Sequence, residues 1–252
     1  MPAQPGPALA VALVVLLLIA VLASFVGGLR RGRQLATAAV RATVQLAAVS
    51  LIITAVLGRL AWSLLFCAVM LTVATITSAR RIETPRSWPW VCLALAAGVL
   101  PTLAVIFLSG AVPFVGVSIV PVAGIVIGGA MTASSLTGRR AFTALRDELG
   151  SYEAGLSLGL TRAEAIDEVI ARHLPEALVP GMDQTRTVGL VTLPGAFVGV
   201  LLGGGSPVQA GAAQLMVLIG LLATQTLTVT VAARLIRSGH VLPTDLRTRL
   251  VA

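Results

Sequence analysis

The sequence predicts an all-α integral membrane protein of about seven transmembrane helices, and three observations predict it. Apolar residues make up 57% of the chain and charged residues only 11%, a balance no water-soluble domain carries. Mostly apolar stretches of about 20 residues, the length that crosses hydrocarbon, recur along the chain with short polar breaks. Arginines gather in alternate breaks, as cytoplasmic loops require.

The apolar stretches cover residues 8–28, 35–57, 60–77, 88–108, 115–136, 188–202 and 213–235. The first lacks a basic flank before it and is longer than a signal-peptide core, so it reads as a retained span. The sixth is the shortest and carries Pro194 near its middle, which removes one helical hydrogen bond and kinks or breaks a span.

All 18 basic residues are arginine. Arg30, Arg31 and Arg33 follow the first stretch, and Arg80, Arg81 and Arg86 the third. Arg139, Arg140, Arg146, Arg162, Arg172 and Arg186 follow the fifth, and Arg234, Arg237, Arg247 and Arg249 the seventh. Only Arg59 falls on the other side and Arg41 inside a stretch. The N-terminus is therefore expected outside and the C-terminus in the cytoplasm. If the sixth stretch did not cross, the last four arginines would lie outside, which keeps the expected count at seven. The net charge of +8 reflects this orientation toward anionic headgroups; dispersed arginines form no nucleic-acid footprint.

All ten acidic residues fall on the cytoplasmic side, eight of them in 137–187, and none lies in an apolar stretch. Ion-coupled carriers place a titratable group within the bilayer, so an autonomous carrier is disfavoured, as are membrane hydrolases and metalloenzymes. His173 and His240 sit in cytoplasmic segments. Cys67 and Cys92 lie at different depths of adjacent spans, so no disulfide is expected. The chain has no lysine, and a Walker A loop needs one to reach the phosphates. Any ATP must be bound and hydrolysed by another chain, and no cofactor is expected in this one.

The segment 137–187 is the one long hydrophilic break. Phe142, Leu145 and Leu149 fall on one helical face, and Gly150 is expected to end that helix. Thr161 with Glu164 forms a capping box opening a second helix, limited by Pro175. Two short helices thus flank a glycine-rich joint. Glu153-Ala154-Gly155, Gly159 and Leu174-Pro175 resemble the EAA motif of ABC-transporter permeases, with Gly155 at the motif's second alanine and the closing Leu-Pro a few residues late. The resemblance implies a coupling helix fitted to an ATPase groove, with Leu158 beside Gly159 at its turn.

A second resemblance covers almost the whole chain, to the FetB-like (YbbM-type) iron-export ABC permease family, which also contains plant proteins linked to aluminium tolerance. The blocks that carry it are Arg41-Ala-Thr-Val-Gln45-Leu46, Pro121-Val-Ala-Gly124 with Gly128 and Met131, Glu153-Ala154 with Leu158-Gly159, Val188 to Gly195, and Ser206-Pro207 with Ala210 and Gln214. It implies one permease domain over 1–252, a cytoplasmic ABC ATPase partner, pairing with a second copy, and a metal ion such as iron as exported cargo. Where such permeases read Leu-Pro-Gly-Met-Met-Thr-Gly-Gln, this chain has Leu193-Pro-Gly-Ala196-Phe197-Val198-Gly199-Val200, and Asn positions of the fifth span are Gly129 and Thr132. The cargo itself stays open between iron, another metal, a chelate and a nucleotide sugar.

Gln34, Thr37, Arg41 and Gln45 share one face of the second span, a candidate lining of a translocation path. Met131, Pro194 and Gln214 are further candidates, although for Gln214 and Gln225 on the last span hydrogen bonding between helices is favoured over contact with a substrate. Gly124 and Gly128, one turn apart, suit close helix packing and an oligomer. A stand-alone carrier and a non-transporting scaffold are the competing classes.

Overall fold

The structure is a computed structural model and describes residues 6–250. The chain forms two compact units, Met1–Gly58 and Arg59–Ala252. Six helices among the described residues are long and apolar enough to cross a membrane.

The first unit is a helical hairpin. Pro7 opens α1 (Pro7–Val26) at a position where a missing N–H costs nothing. The connection uses Gly28 and Arg30 at positive φ, and the Arg31 N–H donates to the buried Ser24 hydroxyl at 3.1 Å. α2 (Gly32–Leu57) returns with Val21 packed over Gly32, where a Cβ would stand 3.2 Å away. Very little of either helix is buried within the protein, so lipid or further protein must cover their apolar sides.

The second unit contains α3 (Leu60–Arg81), α4 (Trp88–Leu108), α5 (Gly116–Asp147), α6 (Leu149–Ser157), α7 (Arg162–Ile170), a 3-10 turn (Leu174–Ala177), α8 (Val179–Thr187), α9 (Gly195–Leu202), α10 (Pro207–Arg237) and α11 (Thr244–Arg249). Side-chain pairs fix the helix directions. Met70 meets Gly124, and Ser78 bonds Ser134 at 3.0 Å, so α3 and α5 run parallel. Ile106 lies at Gly220 and Thr224 donates to Thr102 at 2.9 Å, while Gly98 meets Thr228, so α4 and α10 are antiparallel. Gly129 faces Leu221, and Ser134 and Gly138 share a small cavity with Ala232 and Ile236, so α10 runs parallel to α5.

That parallel pair settles what the sixth apolar stretch becomes. The stretch 188–202 is not one helix: Val188 to Thr192 form a tight turn, Pro194 caps α9, and α9 has 8 residues, about 12 Å of rise. No single helix there spans hydrocarbon, so of the two outcomes open for the sixth stretch, a kink or a break, the structure has the break. Parallel α5 and α10 nevertheless need a return path between Asp147 and Pro207. α8 and α9, both packed on α10, supply it as an interrupted segment. Pro194 breaks the ladder as its missing N–H requires.

Two expectations are revised. α5 has 32 residues, about 48 Å, so it outruns the bilayer and the predicted fifth span and first loop helix are one rod. The helix breaks at Glu148, and Gly150 lies inside α6. The face predicted from Phe142 and Leu145 is buried, and Leu149 packs beside it. The core continues into this protruding end, where Tyr152, Ile166, Ile170, Leu246 and Leu250 are buried with Phe142 and Leu145. Salt bridges tie the same end together: Arg146 bonds Glu83 and Asp245, each at 2.8 Å, Arg140 meets Glu176 at 2.8 Å, and Arg237 meets Asp167 at 2.6 Å.

Candidate coupling elbow and translocation path

The elbow is the turn between α6 and α7. Thr161 caps α7: its hydroxyl accepts from the Glu164 N–H, while the Glu164 carboxylate accepts from the Thr161 N–H at 2.8 Å and hydroxyl at 2.7 Å. The expected capping box is therefore present. Those two bonds, the hydroxyl's first, hold the Glu164 carboxyl below its ordinary range. α6 ends in a Schellman closure, with the Leu160 N–H donating to Gly155 and the Gly159 N–H to Leu156, and Gly159 takes φ of +91°. A side chain at 159 would be strained.

This geometry sorts the predicted coupling residues. Glu153, Ala154, Leu158 and Gly159 are exposed, and Leu158 is 86% exposed at the apex. Gly155 is buried, with Leu160 and Ala165 at 3.3 and 3.4 Å from where its Cβ would stand, so the absent methyl lets α6 and α7 close. The motif start is thus helix α6, and the joint is confined to Leu158–Thr161. Leu174 and Pro175 are not part of the apex. They sit beyond α7, where Leu174 is buried and Pro175 exposed on the 3-10 turn.

Glu148 anchors the elbow's base. Its carboxylate pairs with Arg172 and lies 3.0 Å from His173 Nε2. Residues 147–170 hold Asp147, Glu148, Glu153, Glu164, Asp167 and Glu168 against Arg162 alone, a net charge of −5 on a chain of +8. Asp245, at the neighbouring end of α11, is also held below the usual carboxylate range, chiefly by its bond from Arg146.

The predicted path residues do not form one cluster. In the first unit, Arg41 and Gln45 border a shallow groove on α2 with Thr37 and Val44. Gln34 instead accepts from Arg31 at 2.8 Å. No acidic residue belongs to residues 1–58, so Arg41 has no ionic partner within its own unit. In the second unit, Met131 is half-buried against the core, Pro194 caps α9, and Gln214 is 5% exposed on α10. No hydrogen bond joins these three among the described residues.

A different polar contact emerges from the packing. Gln225 on α10 is 6% exposed and lies against Gly129 of α5 and Gly181 of α8. A Cβ at Gly181 would overlap the Gln225 carbonyl oxygen. That oxygen and the Gln214 carbonyl oxygen are both buried without a hydrogen-bond partner, so neither carbonyl makes the interhelical bond the sequence favoured. Nothing in the sequence marks Gly181, which sits in an otherwise ordinary polar stretch beside Pro180. Asp183 and Arg186, 3.8 Å apart, also lie on α8. The acid-free character of the apolar stretches therefore does not extend to the interrupted segment. A concavity of about 700 Å³ among α3, α4 and α5 is walled by Leu64, Leu71, Leu103, Phe107 and Phe114, with Cys67 the one side chain in its wall that could ligate a metal. Cys67 on α3 and Cys92 on α4 are free thiols. Among the described residues no group of three or more His, Cys, Asp or Glu side chains could hold a metal.

The model of the Uncharacterised protein family UPF0014 matches residues 8–239. The rice UPF0014 membrane protein STAR2 (Oryza sativa subsp. japonica) is 33% identical over 82% of this chain and 74% of its own. The Arabidopsis thaliana protein ALUMINUM SENSITIVE 3 is 30% identical over 82% of this chain and 77% of its own. The probable iron export permease protein FetB of Escherichia coli is 36% identical over 57% of this chain and 55% of its own. No solved structure matches.

Proposed function

The chain belongs to the UPF0014 membrane protein family, and from that membership we propose that it is the permease subunit of an ABC transporter, driven by a separate cytoplasmic ATPase and exporting a metal ion such as iron. It performs no bond chemistry of its own. It sits as a multi-pass protein in the cell membrane, N-terminus outside and elbow in the cytoplasm, and pairs with a second copy to enclose the path. The name of the E. coli relative supports the iron export part of this reading.

The observation that carries the reading is the elbow. Its apex exposes Leu158, with Leu160 less exposed beside it, on an acidic surround, while Gly155 and the Schellman closure make its base rigid. The elbow continues from α5, whose 32 residues run from the bilayer into the polar end. A push on a rigid elbow is delivered to a rod, which tilts; a push on a floppy loop is absorbed. Closure of an ATPase pair on the two elbows of a dimer would then rock α5 and the interrupted segment and change the side to which the path opens.

The test uses the purified permease with its ATPase in lipid. Leu158→Asp and Gly159→Val are expected to abolish permease-stimulated ATP hydrolysis while leaving membrane insertion unchanged. Full stimulation by both variants would contradict the coupling role. One observation favours a stand-alone carrier instead: Asp183 on α8 gives the interrupted segment a titratable group. Under that reading Asp183→Asn stops transport in the absence of any ATPase; under the coupling reading there is no such transport to stop.

A further inference from the structure

Gln225 lies about 13 Å along α10 from Arg234, the first charged residue toward the polar end, well inside an apolar helix. A leucine there would pack without cost, whereas a buried amide oxygen with no donor is penalised. The penalty is not relieved by the neighbours, because the elements on either side meet Gln225 at glycines, Gly129 and Gly181, which have no side chain to donate. Gln214 repeats the situation about three turns earlier on the same face of α10, again with an unpartnered carbonyl. Two acceptors, both buried and both unmet, lie along the helix on which the interrupted segment packs. α8 meets Gln225 at Gly181, and α8 is short and followed by the turn that breaks the span.

We propose that Gln225 is a solute ligand of the translocation path: where α8 moves off α10, its side-chain carbonyl accepts hydrogen bonds from the water shell of a passing cation. The inference rests on the transport reading and adds a ligand to it. Neutral carbonyl oxygens suit a cation that keeps its water. Tight capture of a bare transition metal would call for His, Cys or carboxylate ligands, of which no metal-sized group exists among the described residues. Weak acceptors spaced along a helix let the cation leave as readily as it enters. The Gly181 contact is the closed state of this site, and the lost methyl at 181 is what allows the carbonyl to be covered by backbone alone.

The experiment replaces Cys67 and Cys92 by serine and introduces Gln225→Cys into the full chain, then measures labelling by a membrane-impermeant maleimide in open membranes. Labelling of Gln225→Cys faster than that of Leu95→Cys, a fully buried position on α4, is expected, and labelling no faster than at Leu95 would overturn the proposal. This arm needs neither ATPase nor cargo, so it stands or falls separately from the coupling reading. In the ATPase-coupled complex, with ferrous iron as the probe, Gln225→Leu is expected to lose about tenfold in transport, the effect of one lost buried acceptor, with ATP hydrolysis still stimulated. Unchanged transport by Gln225→Leu would likewise overturn it.

Discussion

At the scale of single residues, the second unit is held together by places where a side chain is missing. Gly98 is the sharpest case: a Cβ there would overlap the Thr228 hydroxyl and stand 2.5 Å from the Thr224 carbonyl oxygen. Backbone cannot step aside, so Gly98→Ala should destabilise the α4 and α10 pairing by about 1–3 kcal/mol, the range for overpacking. Thermal unfolding in detergent measures it. Gly128→Ala should instead be tolerated and stabilise α5 by about 0.5–1 kcal/mol through helix propensity, because nothing lies within 4 Å of a Cβ there. The pair matters because the spacing of Gly124 and Gly128 suggests a packing motif, and only Gly124, against Met70, bears a helix neighbour. A one-turn spacing places two glycines on one face; it does not say whether that face meets a neighbour. The glycines that meet a neighbouring helix most tightly after Gly98, at 129, 138 and 181, follow no common spacing with it, so the sequence offers no pattern for them.

At the scale of elements, the elbow is stabilised by local bonds that sequence spells out well. Thr161 and Glu164 announce their capping box because its chemistry is fixed by a three-residue offset, whereas the end of the preceding helix was misplaced. Gly150 suggests a terminator, but it lies exposed inside α6 with nothing within 4 Å of a Cβ, a position where a helix tolerates glycine at a cost of about 1 kcal/mol, and the break falls at Glu148, where Arg172 and His173 gather. Thr161→Ala should cost α7 about 1 kcal/mol, read as faster hydrogen exchange across 162–170 with α10 unaffected. The pH dependence follows from Glu164 and Asp245. Both carboxyls titrate below their ordinary range, so their ionised forms stabilise the fold. That contribution is complete above an unfolded carboxylate pKa of about 4 and disappears as pH falls through the lower folded values. Limited proteolysis of residues 147–170 should therefore be flat from neutral pH down to about 5 and rise only below about 4. Both groups are solvent-exposed, so the rise should be modest and weakened further by salt.

At the scale of the whole molecule, hydropathy and arginine placement made the helical membrane class and six of the spans legible, since crossing hydrocarbon imposes a length no packing detail can override. The interrupted segment was legible only in part. Pro194 signalled a break, but the location of the return path depends on α5 and α10 being parallel, a fact of tertiary contact. The path residues were harder still, because a buried glutamine reads alike whether its amide is bonded or bare. For the assembled transporter the central claim is that power enters from a separate ATPase through the elbow. The most direct test is accumulation of ferrous iron in proteoliposomes holding the chain alone, or the chain with its ATPase, each with and without ATP. The account predicts accumulation only when ATPase and ATP are both present; accumulation by the chain alone would contradict it.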